Sequence, residues 1–260
     1  MKALGFIGYL YRLLLTPLCF ACFGVGSLMM VYLEMPLYAA CGLLKGPLAR
    51  RRHIAVRLRF FLRCLHYLGL IRIEQADLGD LSARRSTLVV ANHPTLLDFP
   101  LLAAYLPDLN TVFKEGILKN PFLGRIVREC GYLSNTRAEE FLEECRRCLQ
   151  SGENLMIFPE GTRTDPQVGV RLKRGAAGVA AKVNCEVAVL KIECSTEFLN
   201  RRTRWYVAPR RLPCYSVTFC GIIKARELKL SSPEGESDPR VSREINARIA
   251  SMLNLPAAQA

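Results

Sequence analysis

The sequence predicts an α/β domain, a mostly parallel central sheet flanked by helices, preceded by an apolar, membrane-associated helical segment. Three observations carry this. Short apolar runs rich in β-branched residues recur along the chain and read as buried strands. Stretches of helical period separate them, the pattern of strands joined by crossover helices. Residues 3–44 are strongly apolar and interrupted mainly by Arg12, Pro17, Glu34 and Pro36.

Within that first segment, Leu18 to Leu33 is a run of sixteen residues without a charge. A full crossing needs roughly 17–25 residues. Two readings follow: one helix that just crosses with its flanks, or two helices lying in one leaflet. Lys2 before an apolar run also resembles a signal peptide, but the apolar character continues to Leu44, far past an ordinary h-region. With no Gly/Ser linker, low-complexity tract or repeat, the expected division is a membrane-associated segment over 1–44 and one folded domain over 45–260.

Residues 45–72 hold Lys45, Arg50, Arg51, Arg52, Arg57, Arg59, Arg63 and Arg72 and no acid. Ile54, Leu58, Phe61, Leu62 and Leu65 share one face at helical spacing. This is a basic amphipathic helix whose arginines either meet solvent or rest on anionic headgroups. Positive charge beside the apolar segment favours a domain facing the cytoplasm.

Strands are expected at Leu70–Glu74, Thr87–Ala91, Thr111–Phe113, Leu155–Phe158 and Val187–Glu193, with late ones near Trp205–Val207 and Ser216–Ile222. Helices are expected from near Pro94 and Gly116, over Glu139–Leu149 and Leu172–Val183, and from Pro239. In the last of these, Val241, Ile245, Ile249 and Leu253 line one face. Ligand sites of such sheets gather at strand C-termini.

The net charge of the 260-residue chain is +13. Such a surface suits anionic lipid or an acidic carrier. No nucleic-acid-binding module is recognisable, so nucleic acid is not an expected partner. There are eleven cysteines. Cys19/Cys22 and Cys145/Cys148 are Cys-x-x-Cys pairs, but the first lies in the apolar segment and neither has further ligands at zinc spacing. Reduced thiols and no metal are expected.

Two strand exits carry chemistry. Thr87–Ala91 runs into Asn92-His93-Pro94-Thr95-Leu96-Leu97-Asp98. Five residues on a continuous helix turn about 500°, which would leave His93 and Asp98 some 140° apart. With Pro94 at the first helical position, His93 sits in the turn before the helix and Asp98 can fold back to it. A carboxylate on one ring nitrogen fixes the tautomer and raises the basicity of the other, which can then take a proton from a hydroxyl. A capped helix start with an ordinary first-turn acid is the plainer reading. The second exit, Phe158-Pro159-Glu160-Gly161-Thr162-Arg163, has a glycine that permits a tight turn facing an anion and an arginine fork that matches phosphate.

Together these stretches resemble the glycerophospholipid acyltransferases, the family of bacterial 1-acyl-glycerol-3-phosphate acyltransferase. Asn92, His93 and Asp98 match its Asn-His-x4-Asp block, and Phe158 to Arg163 match Phe-Pro-Glu-Gly-Thr-Arg without a change. Phe113–Gly124 and Leu172–Ala177 look like two further blocks, and the likeness covers roughly residues 45–225. One departure stands out. The family's fourth block has a proline in an apolar strand, and Glu186–Ile192 has none. The resemblance implies transfer of a fatty acyl group from acyl-CoA or acyl-carrier protein, as co-substrate, to a lysophospholipid hydroxyl, with no cofactor. His93 would be the base and Asp98 its orienting partner. Glu160, Gly161, Thr162 and Arg163 would bind the acceptor, with Lys114 and Lys119 adding positive charge. The implied setting is the inner (cytoplasmic) membrane, entered halfway by a monotopic helix pair, with the catalytic domain on the cytoplasmic side. Another lyso-lipid acceptor, such as lyso-ornithine lipid, and a non-catalytic lipid-binding protein of the same fold remain as alternatives.

Overall fold

The computed structural model describes residues 2–74, 76–120, 123–135, 138–229 and 239–255. Pro121 and Phe122, in the middle block, lie outside them. The chain opens with α1 (Lys2–Met29), a π turn (Met30–Glu34) and α2 (Met35–Ala40), which follow without a break. Pro36 has no N–H, and its ring crowds the carbonyl four residues back, so the ladder widens locally. The Met35 N–H accordingly reaches five residues back to the Met30 carbonyl. Phe6–Ala40 thus forms one apolar helix of 35 residues, long enough to cross a membrane. Of the two readings of this segment, the structure has the single continuous helix and not a pair within 3–44.

The antiparallel partner of this rod is α3 (Gly46–Tyr67). Tyr11 Oη donates to the Leu68 carbonyl at 3.1 Å. The Phe20 and Phe23 rings pack on Phe61 at 5.5 and 4.0 Å, and Glu34 pairs with Arg57. The opposite face of α3, with Ile54, Leu58, Leu62 and Leu65, is buried as its spacing predicts. Most of its arginines are spoken for inside the protein. Arg51 is buried and joins Glu153 at 2.7 Å. Arg52 holds Asp108 at 2.6 Å, Arg50 holds Glu129 at 3.2 Å, and Arg59 donates to the Ala104 carbonyl. These groups staple α3 to the domain and are not a free headgroup-binding face.

The domain follows as β1 (Arg72–Ile73), β2 (Thr87–Ala91), α4 (Asp98–Tyr105), β3 (Asn110–Phe113), a 3-10 turn (Glu115–Lys119), α5 (Leu123–Glu129), β4 (Leu133–Ser134), α6 (Ala138–Gln150), β5 (Leu155–Ile157), α7 (Gly175–Val183), β6 (Glu186–Cys194), β7 (Cys214–Lys224), α8 (Ala225–Lys229) and α9 (Pro239–Met252). The seven-stranded sheet runs β1-β7-β6-β2-β5-β3-β4. Only the β6–β7 pairing is antiparallel. Side chains alternate between two cores. Val89, Ala91, Met156, Ala188 and Leu190 face α3 and α4. Leu88, Val90, Leu155, Val187 and Val189 face α6, α7 and α9. A central parallel strand is buried on both sides, so β2 reads as an unbroken apolar run.

Three expected elements differ. Near Gly116 a 3-10 turn (Glu115–Lys119) stands where a helix was expected, and α5 begins only at Leu123. The helix expected from Pro94 begins at Asp98. Thr95 donates to Asp98 through both its N–H and its Oγ1, and these bonds hold residues 94–97 in a loop, an alternative to helix open to short polar side chains. No strand forms at Trp205–Val207. The Val207 N–H turns back to the Arg204 carbonyl at 3.1 Å, and all three side chains are exposed.

Candidate active site

β2 and β5 are parallel neighbours, and their carboxyl ends deliver the two motifs side by side. Asn92 continues β2 with its side chain. Its amide donates to the Ile192 carbonyl at 2.8 Å and accepts from the Ile192 N–H at 2.7 Å, imitating a ladder pair with β6. His93 is then clamped through its backbone by the loop after β5. Its N–H donates to Glu160 Oε1 at 2.8 Å, and its carbonyl accepts from the Thr164 N–H at 2.7 Å. Thr164 Oγ1 donates to the same Glu160 oxygen at 3.0 Å.

The imidazole is fixed from two sides. Its Nδ1 lies 2.8 Å from Asp98 Oδ2. Its ring stacks on Phe158, centroids 4.1 Å apart and planes within 13°. Asp98 is wholly buried at 0% exposure. It also accepts from the Thr95 N–H at 2.7 Å and from Thr95 Oγ1 at 2.5 Å. Burial pushes the Asp98 carboxyl above the ordinary range, and the bonds from His93 and Thr95 pull it part of the way back. An ionised Asp98 requires the proton on Nδ1, which leaves the Nε2 lone pair free. The His93 side chain keeps 19% exposure, so that lone pair is within reach of a ligand. This is the arrangement of a general base with an orienting carboxylate. Asp98 is the first residue of α4, so the fold-back inferred from spacing is achieved by a loop and not by a helical turn.

The acceptor-side residues separate on inspection. Glu160 is buried and turned inward, spending Oε1 on the His93 clamp, and burial raises its carboxyl above the usual range. Its oxygen thus holds the His93 backbone. Gly161 and Thr162 are exposed. Gly161 adopts φ +66°, and a Cβ there would lie 3.2 Å from Lys173 Nζ. The glycine therefore serves both the turn and the approach of a cation. Lys173 was visible only as part of a family block, because its partner turn lies a whole loop earlier in the chain. The Arg163 fork is half committed: Nη1 donates to the Leu199 and Asn200 carbonyls at 2.9 and 2.8 Å. Lys114 and Lys119 bracket the 3-10 turn and are exposed, and among the described residues neither has a hydrogen bond or ion pair to the site. A separate cleft of about 200 Å3, lined by Leu81, Tyr105 and Asn154, sits by the opposite ends of β2 and β5. Cys145 and Cys148 are buried in the core, which pushes both thiols up to about 12.

Known proteins resemble this chain over the region that holds both motifs. The family model described as Acyltransferase matches residues 72–193, which contain both motifs. A 1-acyl-sn-glycerol-3-phosphate acyltransferase of Helicobacter pylori is 27% identical over 146 residues, covering 54% of this chain and 60% of that protein. A chloroplastic one from Arabidopsis thaliana is 32% identical over 117 residues, covering 43% of this chain and 32% of that protein. The matched parts thus span less than two thirds of either relative. The crystal structure of the 1-acyl-sn-glycerophosphate (LPA) acyltransferase PlsC from Thermotoga maritima shares the fold. Its TM-score is 0.64 at 20% identity, covering 94% of this chain and 97% of that one.

Proposed function

We propose that this chain, whose residues 72–193 match the family model described as Acyltransferase, acylates 1-acyl-glycerol-3-phosphate to phosphatidic acid. The observation that carries the reading is the His93–Asp98 pair with a free Nε2 at the end of a buried parallel strand. Nε2 takes the proton of the acceptor hydroxyl, and the oxygen attacks the thioester carbonyl. The tetrahedral oxyanion collapses, the C–S bond breaks, and the imidazolium returns its proton to the leaving thiolate. No covalent enzyme intermediate is needed. Asp98 keeps the productive tautomer and stabilises the imidazolium while it lasts. The N–H groups of His93, Thr95, Leu96, Gly161 and Thr164 already donate within the protein. The developing oxyanion must therefore use other donors.

The remaining N–H groups of Arg163, with Lys173 beside Gly161, supply the positive charge for the acceptor phosphate. The thioester donor is acyl-CoA or acyl-carrier protein. The apolar rod is tied along its length to α3, which is itself stapled to the domain. This favours a rod lying in one leaflet of the inner membrane with the domain on the cytoplasmic side. The deciding assay uses the purified full chain with acyl-CoA, acyl-carrier protein and a panel of lysolipids, following thiol release and product. Thiol release dependent on lysophosphatidic acid is the expected result. Release driven only by a lyso-aminolipid would replace the acceptor, and no transfer from either donor would overturn the reading.

A further inference from the structure

The loop between β6 and β7 holds Arg201, Arg202, Arg204, Arg210 and Arg211, and no acid occurs from Phe198 to Pro213. At its tip Trp205, Tyr206 and Val207 are 47%, 40% and 40% exposed. Three adjacent exposed apolar side chains in a cationic loop are not an ordinary solvated turn. The loop packs beside α1. Trp205 lies 6.5 Å from the Phe20 ring, and Arg12 donates to the Arg210 carbonyl at 2.6 Å. The loop base reaches the catalytic pair's surroundings. The Leu199 carbonyl accepts from the Leu96 N–H at 3.0 Å and from Arg163, and Arg202 holds Asp165 at 2.7 Å.

We infer that this loop is a second membrane contact, inserting Trp205, Tyr206 and Val207 at the headgroup level of an anionic bilayer. Trp and Tyr favour that depth because their rings are apolar with one polar end. Arg210 and Arg211 are exposed and form no ion pair among the described residues, so their charge is available to lipid phosphate. Because the loop base is tied to Leu96 and Arg163, its seating sets the height of the His93 site above the acyl chains. The inference rests on the membrane reading of α1 proposed above.

Trp205 is the only tryptophan in the chain, so its emission reports this loop alone. The full-length protein is reconstituted in phosphatidylglycerol-containing and in pure phosphatidylcholine vesicles, with brominated lipid or aqueous iodide as quencher. The expected result is blue-shifted emission, quenching by lipid brominated near the headgroup, and shielding from iodide, all stronger with the anionic lipid. Arg210→Gln with Arg211→Gln should weaken loop seating by about fivefold per charge removed, and leave turnover of a short, dispersed acceptor unchanged. Iodide quenching equal to that of a free indole, in protein that still co-sediments with the vesicles, would overturn the loop contact and spare the anchor. Protein that does not co-sediment would overturn both. Quenching indifferent to lipid charge and to the arginine pair would overturn the electrostatic part. Shielding of Trp205 by an acidic carrier protein and not by lipid would make the loop a protein-docking site instead.

Discussion

At the scale of single residues, the pair at the end of β2 makes the strongest demand. His93→Ala should cost about 10²–10⁴-fold in turnover, the usual loss for a general base, with an unchanged unfolding transition. Asp98→Asn should lower turnover on the order of 10²-fold or more, since the wrong nitrogen of His93 would then be free to carry the proton. Steady-state rates on detergent-dispersed acceptor test both, and near-normal turnover of His93→Ala would end the mechanism. Glu160 yields a prediction about pH. Its folded carboxyl titrates above its unfolded one because of burial. The charged form therefore opposes folding at neutral pH, and that cost disappears as pH falls through the raised value. Glu160→Gln keeps an oxygen for the His93 N–H without the charge. Thermal unfolding should show the variant ahead of wild type at pH 7, with the gap narrowing toward pH 4.5; a gap that widens on acidification would contradict it. The histidine–carboxylate pair was legible in the sequence because both partners lie within one heptapeptide. The inward turn of Glu160 and the carbonyl contacts of Arg163 were not. Their partners, His93, Leu199 and Asn200, are distant in the chain, and no local pattern records such a meeting.

At the scale of elements, periodicity found what packing alone dictates. The faces of α3 and α9 and the strands β2, β5 and β6 were readable because burial on one or both sides writes itself into spacing. Where side chains compete with the backbone, or apolar groups face outward, the same patterns misled. Pro94 fits a helix start, yet the Thr95–Asp98 bonds delay it to Asp98. Trp205-Tyr206-Val207 has the composition of a strand but no partner edge. The 3-10 turn before α5 offers a sharp test of packing. A Cβ on Gly124 would come within 2.4 Å of the Leu118 carbonyl oxygen, which is backbone and cannot swing away. Gly124→Ala should therefore destabilise the protein by about 1–3 kcal/mol, as overpacked sites do. Equilibrium denaturation would measure it, and a loss under half of that would mean the turn yields easily.

At the scale of the whole molecule, the apolar rod and the domain are one construction. Removing residues 1–44 takes away Phe20 and Phe23 and uncovers Phe61. The truncated chain should leave the membrane fraction in large part and lose more activity on bilayer substrate than on a short, soluble acceptor. Since most arginines of α3 are engaged within the protein, its residual binding should be modest and should fall with salt, as exposed charges are screened over about 10 Å at 0.1 M. Vesicle co-sedimentation beside both activities tests this, and full binding by the truncated chain would reassign the anchor. The clamp on His93 has a consequence in time as well as in space. Its N–H and the Thr164 N–H close the same junction from opposite directions, one toward Glu160 and one toward the His93 carbonyl. Parting the ends of β2 and β5 would release both amides together. The two should therefore exchange through one opening event, with matched protection, and a proton would be lost from the base's own backbone no sooner than the neighbouring turn lets go.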